Sequence, residues 1–467
     1  MKGTLRATAL VLCAAGLSTP ACDGSYQAFL DGVPVAAADQ DTPVQVFLGI
    51  DGMSQQAFEL ARTRGAFASW NVAPLVTPFP GTSDYSWTRT LRAGALGGYE
   101  VEYYDAAANQ LEGQGLAGVA EHPLREGIVE PFDCYRRFDF VGDGETWQAR
   151  SYLDPMGTLR TTLDALFDTV AGRARTKRTV LAYIMTADVV SHMEGVDQAA
   201  WVLVELDRRI REFKASQKQR FAFVLFADHG NAHIASELVQ PRDVLREVGV
   251  EPVDALSGQG DPLEAVPIVH VRVNYVALHT TTVRAAEIAE RSSSSRHVDL
   301  AVAPLAAPDD SGTARFGVWR HGERFVFARS ENGDITVEDP ERWSWLGVDL
   351  TPFTAADHAT ARLGDRQAFA LTLAGPYPDL FYRVATAFSN PAARYPASVL
   401  WSMPDDVASI GFEVPLSGQI RANAGFHGSL SRASTMSVVA SDTSALPAAL
   451  RSDDLADLFP MLGGAAP

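Results

Sequence analysis

Three predominantly apolar runs mark the first half of the chain: VQVFLGI at 44–50, RTVLAYIM at 178–185 and RFAFVLFA at 220–227. Runs of this length without polar alternation read as strands buried on both faces, the pattern of a parallel sheet. Residues 55–63, 158–174 and 201–214 carry apolar positions at helical spacing, the first opening behind Ser54, an N-cap residue type. Strand, helix and strand in this order predict right-handed crossovers and an α/β fold. Shorter strands are expected at 71–76 and 435–440, with a closing helix at 453–459.

Elsewhere the pattern breaks. The stretch TPFPGTSD at 77–84 carries prolines and a glycine that forbid regular structure, and Ser83-Asp84 read as the cap of a helix running to about 93. Residues 94–155 are rich in glycine and aromatics and predict hairpins and loops around a site mouth. Past residue 255 the character changes: 266–278 is strand-like, 283–291 helical, and 316–337 alternates around His321-Gly322 and Asn332-Gly333, the second a strong hairpin signal. The chain therefore divides into 1–22, a tether at 23–42, a core at 43–254, an inserted α+β cap at 255–415 and a return to the core at 416–467.

Residues 1–22 read as an export signal: Lys2 and Arg6, then an apolar stretch at 7–17, then the small residues before Cys22. The apolar stretch is too short to span a membrane. Cys22 stands where a bacterial lipoprotein carries its lipid, so attachment to a membrane in the periplasm or envelope is expected, although Thr19 departs from the usual aliphatic residue. The alternative for Cys22 is a disulfide to Cys134 in an oxidising compartment. The net charge of −18 excludes the basic face that a nucleic-acid partner requires. An anionic small molecule is compatible with it, because bound cations reverse the local field. The oligomeric state is not encoded in any pattern of this kind.

Candidate chemistry sits at the ends of the apolar runs. Asp51-Gly52 closes the first, Asp188 and His192 follow the second, Asp228-His229-Gly230 closes the third, and His427 lies in GFHGSL near the return to the core. Open α/β sheets place their sites at the carboxyl ends of strands. Taken singly each pair has a plain reading, a turn for Asp-Gly and a solvated i,i+4 pair for Asp188 and His192. Jointly they form six metal-type ligands and, in Ser83, a hydroxyl. Mixed His/Asp donors suit zinc, with manganese, iron or cobalt as alternatives. The remaining histidines, 122, 233, 270, 279, 297, 321 and 358, lack that placement.

These islands, IDGM, FPGTSDYSWT, TADVVSHMEG, FADHGN and GFHGSL, resemble in content and order the motifs of the alkaline phosphatase superfamily, nearest its type I phosphodiesterase/nucleotide pyrophosphatase-like branch. The resemblance implies a three-layer sandwich around a mostly parallel sheet and a two-metal hydrolase of phosphate mono- or diesters acting through a covalent phospho-serine. It implies that Asp188, His192 and His427 hold one metal and that Asp51, Asp228, His229 and the nucleophile hold the other. Ser83 aligns as that nucleophile, with Thr82 the alternative. Arg89 and Arg92, on the following helix, are candidates to grip a phosphate. The chain departs from the family where Asp84-Tyr85 replace a proline, Ala227 a serine and Asn231 a methionine. The asparagine that binds substrate oxygen in the diesterase branch has no counterpart. Two other readings stay open, a phosphoryl or phosphoethanolamine transferase on the same fold and a non-catalytic metal-binding envelope protein. No Cys-x-Pro-x-Arg segment of the formylglycine sulfatases is present.

Overall fold

The computed structural model describes residues 42–113, 133–142, 150–151, 153–258, 262–269, 273–350, 362–410 and 424–464. The expected export signal, Cys22, nearly all of the tether and His122, His270 and His358 lie outside the described residues. Cys134 is buried and free, while its suggested partner lies outside that set.

A six-stranded sheet forms the centre, in the order Leu450–Arg451, Asn71–Val76, Met436–Ser441, Phe221–Phe226, Val44–Ile50, Thr179–Ile184. Val44–Ile50 runs parallel to both Thr179–Ile184 and Phe221–Phe226. Met436–Ser441 runs antiparallel to both of its neighbours, and Leu450–Arg451 parallel to Asn71–Val76. Five strands therefore point one way, and the sheet is mostly parallel.

Alternation along the first strand explains the layers. Val44, Val46, Leu48 and Ile50 project into a core shared with Phe58, Leu163, Leu166, Leu203 and Leu206. These come from the helices Gln55–Thr63, Pro155–Arg173 and Val196–Ser216. Phe47 projects to the opposite face, into a second core with Leu75, Trp87, Tyr183, Phe226 and Leu455. Gly49 lies beneath Trp87, and a Cβ there would stand 2.7 Å from the indole Cη2, so the close approach of helix Ser83–Thr90 to the sheet needs glycine at this position.

The second half of the chain builds a separate eight-stranded sheet between Glu251 and Ser402. Its neighbours are antiparallel except the short pair Glu251–Pro252 and Glu264–Ile268. The strand-like stretch at 266–278 resolves into two strands, Glu264–Ile268 and Tyr275–His279, which pair antiparallel. His321 and Gly322 both take positive φ, 52° and 80°, and close the hairpin of Ala314–Arg320 and Glu323–Arg329. One face of this sheet packs with Phe79, Tyr85 and Leu430, so the second sheet touches the segments on either side of the candidate site.

Candidate metal centre

Strand direction gathers the site. The parallel strands Val44–Ile50, Thr179–Ile184 and Phe221–Phe226 deliver Asp51, then the helix Thr186–Glu194 with Asp188 and His192, then Asp228 and His229, all at one edge. Asn71–Val76 leads from that edge into the loop before Ser83, and His427 precedes the antiparallel Met436–Ser441, whose amino end lies at the same edge.

At the centre, His229 Nε2 lies 3.1 Å from Asp51 Oδ1 and 3.5 Å from Asp228 Oδ2. Ser83 Oγ is 3.3 Å from Asp51 Oδ1, to which it donates, and 3.3 Å from His229 Nε2. On the other side, His192 Nε2 lies 2.8 Å and His427 Nε2 4.0 Å from Asp188 Oδ2. Ligand atoms of Asp51, Asp228 and His229 all fall within 4.8 Å of one another, and so do those of Asp188, His229 and His427. His192, which the family resemblance assigns to the second group, has its Nε2 beside Asp188 but is not among the atoms that all lie within that span; His229, whose ring stacks on that of His427, is.

The three imidazoles share one arrangement. The Nδ1 of His192 donates to Gly425 O, that of His229 to Gly230 O and that of His427 to Gly81 O, at 2.6, 2.8 and 2.7 Å. A carbonyl only accepts, so each Nδ1 carries the hydrogen and each Nε2 faces the carboxylates. A backbone acceptor that sets the tautomer is the usual support of a metal-ligating histidine.

The carboxylates are supported just as specifically. Gly52 N and His229 N donate to Asp228 Oδ1 at 3.2 and 3.0 Å, and the Tyr183 hydroxyl donates to Asp51 Oδ2. Gly52 takes φ +63°, and a Cβ on it would lie 2.3 Å from Asp188 Oδ1, so glycine leaves room for that carboxylate. Asp188 Oδ1 and Asp228 Oδ2 are buried without a hydrogen-bond partner.

Electrostatics point the same way. Burial first, and then the charges of Asp228 and Asp188, push the Asp51 carboxyl well above the ordinary range. Asp228 is raised as well, by burial. Burial opposes protonation of His229, but Asp228 and Asp51 outweigh it and raise the imidazole to about 10. Burial and the neighbouring His229 hold His427 well below its usual range. Two buried carboxylates, Asp51 and Asp228, and the half-buried Asp188 converge with two unsatisfied oxygens and three oriented Nε2 atoms, a set that fits one or two divalent cations.

Thr82 is fully buried in the N-cap position of helix Ser83–Thr90, and its hydroxyl donates to Tyr99 O, away from the carboxylates. Ser83 is therefore the first helical residue rather than the cap. Arg89 and Arg92 do not face the site. Arg89 is buried and bidentate to Asp453, with a further bond to Thr386 Oγ1, and Arg92 is exposed beside Asp457. Both tie the helix to the C-terminal segment, which no local pattern announces. His233 lies near the centre, its Nε2 2.7 Å from Ser54 Oγ, and burial lowers it to about 4. His279 is buried against Tyr104 and His321 lies in a turn. Tyr183 is not among the residues expected from sequence; its signal is a lone phenol near the carboxyl end of the strand Thr179–Ile184.

No protein-family profile matches the chain, and no curated protein matches it in sequence. Solved structures do align with it. Phosphonoacetate hydrolase from Sinorhizobium meliloti 1021 in complex with phosphonoformate superposes over 91% of this chain and 96% of its own, at 13% identity and a TM-score of 0.44. An inactive variant of murine ectonucleotide pyrophosphatase/phosphodiesterase 5 in complex with AMP superposes over 91% and 96%, at 10% identity and a TM-score of 0.46. The human form of the latter protein covers 90% and 96%, at 10% identity and a TM-score of 0.44.

Proposed function

We propose that this protein is an exported, metal-dependent hydrolase of phosphate mono- or diesters that works through a phospho-Ser83 intermediate. One observation carries the reading: a serine hydroxyl at the start of a helix stands 3.3 Å from both Asp51 and His229, inside a set of three carboxylates and three backbone-oriented imidazoles. The export assignment rests on residues 1–22 of the sequence.

Asp51, Asp228, His229 and Ser83 would hold one divalent cation and Asp188, His192 and His427 the other, with zinc first by donor type. Bound there, the cations would favour the ionised Ser83 hydroxyl and offset the charge of the phosphoryl oxygens. Ser83 Oγ forms the bond to phosphorus as the ester oxygen leaves. Water then displaces Ser83 at the same phosphorus, releasing phosphate from a monoester or a phosphate monoester from a diester. The first-turn N–H groups of helix Ser83–Thr90 lack carbonyl partners within the helix and suit an oxyanion. The Tyr183 bond to Asp51 Oδ2 leaves Oδ1 turned toward Ser83.

The test is hydrolysis of p-nitrophenyl phosphate and bis-p-nitrophenyl phosphate by the purified protein, with zinc and with chelator, beside Ser83→Ala. Turnover that chelator removes and Ser83→Ala abolishes is the expected result, and the preferred ester names the substrate class. No turnover on either ester with two metals bound would overturn the hydrolase reading.

A further inference from the structure

We propose that Arg383 is a positioning residue that locks the nucleophile loop to the His427 loop, and so sets the spacing between the two halves of the metal centre. This rests on the metal-centre reading above.

Arg383 lies on the helix Leu380–Ser389, outside every segment that supplies a candidate ligand, and is 2% exposed. Both terminal nitrogens of its guanidinium bond main-chain carbonyls, while Nε is buried without a partner among the described residues. Nη2 donates to Pro78 O and Ser429 O, both at 3.2 Å, and Nη1 to Leu430 O at 3.0 Å and Pro378 O at 3.4 Å. Pro78 stands five residues before Ser83, and Ser429 and Leu430 follow His427 by two and three. Its plane also lies over Phe79, 6.0 Å from the ring centroid.

The nearest carboxylate does not compete for this group. Asp379 is engaged by Arg451, through Nε at 2.6 Å and Nη2 at 2.9 Å. Arg383 therefore acts as a rigid fork between two loops rather than as half of an ion pair, a geometry that lysine's single ammonium cannot reproduce. The loops it joins meet again closer to the centre, where Gly81 N donates to Gly428 O at 3.3 Å and His427 Nδ1 donates to Gly81 O at 2.7 Å. Without the fork, the carbonyls of Pro78 and Ser429 would turn toward other donors, and the loop that aims His427 Nε2 at Asp188 would turn with them. Asp51, Asp228 and His229 sit on the ends of central strands that Arg383 does not touch.

The experiment is a cobalt(II) titration of the wild-type protein, Arg383→Met and Arg383→Lys, read by visible d–d absorption and by metal count after desalting, with circular dichroism as the check on folding. The expected result is two cobalt ions in the wild type. In Arg383→Met the second site weakens about 10–100-fold, as for other residues that orient metal ligands, and the first, whose Asp51, Asp228 and His229 stay on their strand ends, weakens less. Arg383→Lys falls between the two, and millimolar methylguanidine restores the second site of Arg383→Met. A folded Arg383→Met whose two affinities match the wild type overturns the proposal. If that variant does not fold, an unchanged second-site affinity in Arg383→Lys overturns it instead. Equal weakening of both sites without rescue by methylguanidine marks a general loss of structure and also overturns it. A wild-type protein that binds fewer than two cobalt ions overturns the metal-centre reading itself, and the clamp with it.

Discussion

The imidazole rings of His229 and His427 lie stacked, with centroids 3.5 Å apart and planes 8° from parallel, although 198 residues separate them in the chain. His229 leans toward Asp51 and Asp228, and His427 toward Asp188. The stack is where the two halves of the candidate centre meet, and its two rings are shifted in opposite directions: Asp228 and Asp51 raise His229 against its burial, whereas burial first and then the neighbouring His229 lower His427.

That contrast predicts proton release on metal binding. At pH 7.5 the metal-free protein carries His229 protonated, because its folded value of about 10 exceeds the ordinary value of 6.5. Nε2 must lose that proton to bind a cation. Zinc added to chelator-treated protein should therefore liberate protons in a weakly buffered solution, and His229→Ala should release fewer. The stability sign follows from linkage. The His229 contribution is fully present below pH 6.5 and is lost as pH rises through about 10. Tm of the metal-free protein should fall across that window.

Ser83 and Thr82 make opposite predictions despite being adjacent. Ser83→Ala should lower kcat/KM by at least about 10³-fold, the scale seen when a nucleophile is removed. Thr82→Ala breaks only the bond to Tyr99 O and costs about 1 kcal/mol of stability, with activity within a few-fold of wild type. Steady-state kinetics and urea denaturation on both variants separate the two roles, and a reversal of the two results would make Thr82 the nucleophile.

Tyr183→Phe removes one hydroxyl from the back of Asp51 and leaves the aromatic cluster with Trp87, Tyr135 and Phe138 intact. The expected outcome is a folded protein with about 10–100-fold weaker metal affinity or activity. Zinc competition with a chromogenic chelator reads this directly.

Arg89→Ala leaves Asp453 without its guanidinium in a place where the arginine side chain is only 1% exposed. Losing one partner of a buried pair costs about 3–5 kcal/mol, and roughly 2–4 is expected here because Asp453 keeps some contact with water. Arg92→Ala, on an exposed pair, should stay within about 0.5 kcal/mol. Neither change should raise KM for a phosphate ester, as a phosphate-gripping role would require.

What the sequence determined by itself was burial and local geometry. Predominantly apolar runs marked the strands Val44–Ile50, Thr179–Ile184 and Phe221–Phe226, because a strand covered on both faces shows no polar alternation. The same logic put Asp51 and Asp228 at strand ends, where a carboxylate can leave the apolar interior. What only the tertiary structure decided was partnership. Met436–Ser441 inserts antiparallel between Asn71–Val76 and Phe221–Phe226, Arg89 finds Asp453 across 364 residues, and Arg383 spends its donors on Pro78, Ser429 and Leu430. The carbonyls that orient His192 and His427 belong to Gly425 and Gly81, and a backbone acceptor leaves no mark on residue identity. Periodicity records how much of a side chain is hidden from water, whereas the atoms that do the hiding are chosen only when distant segments pack.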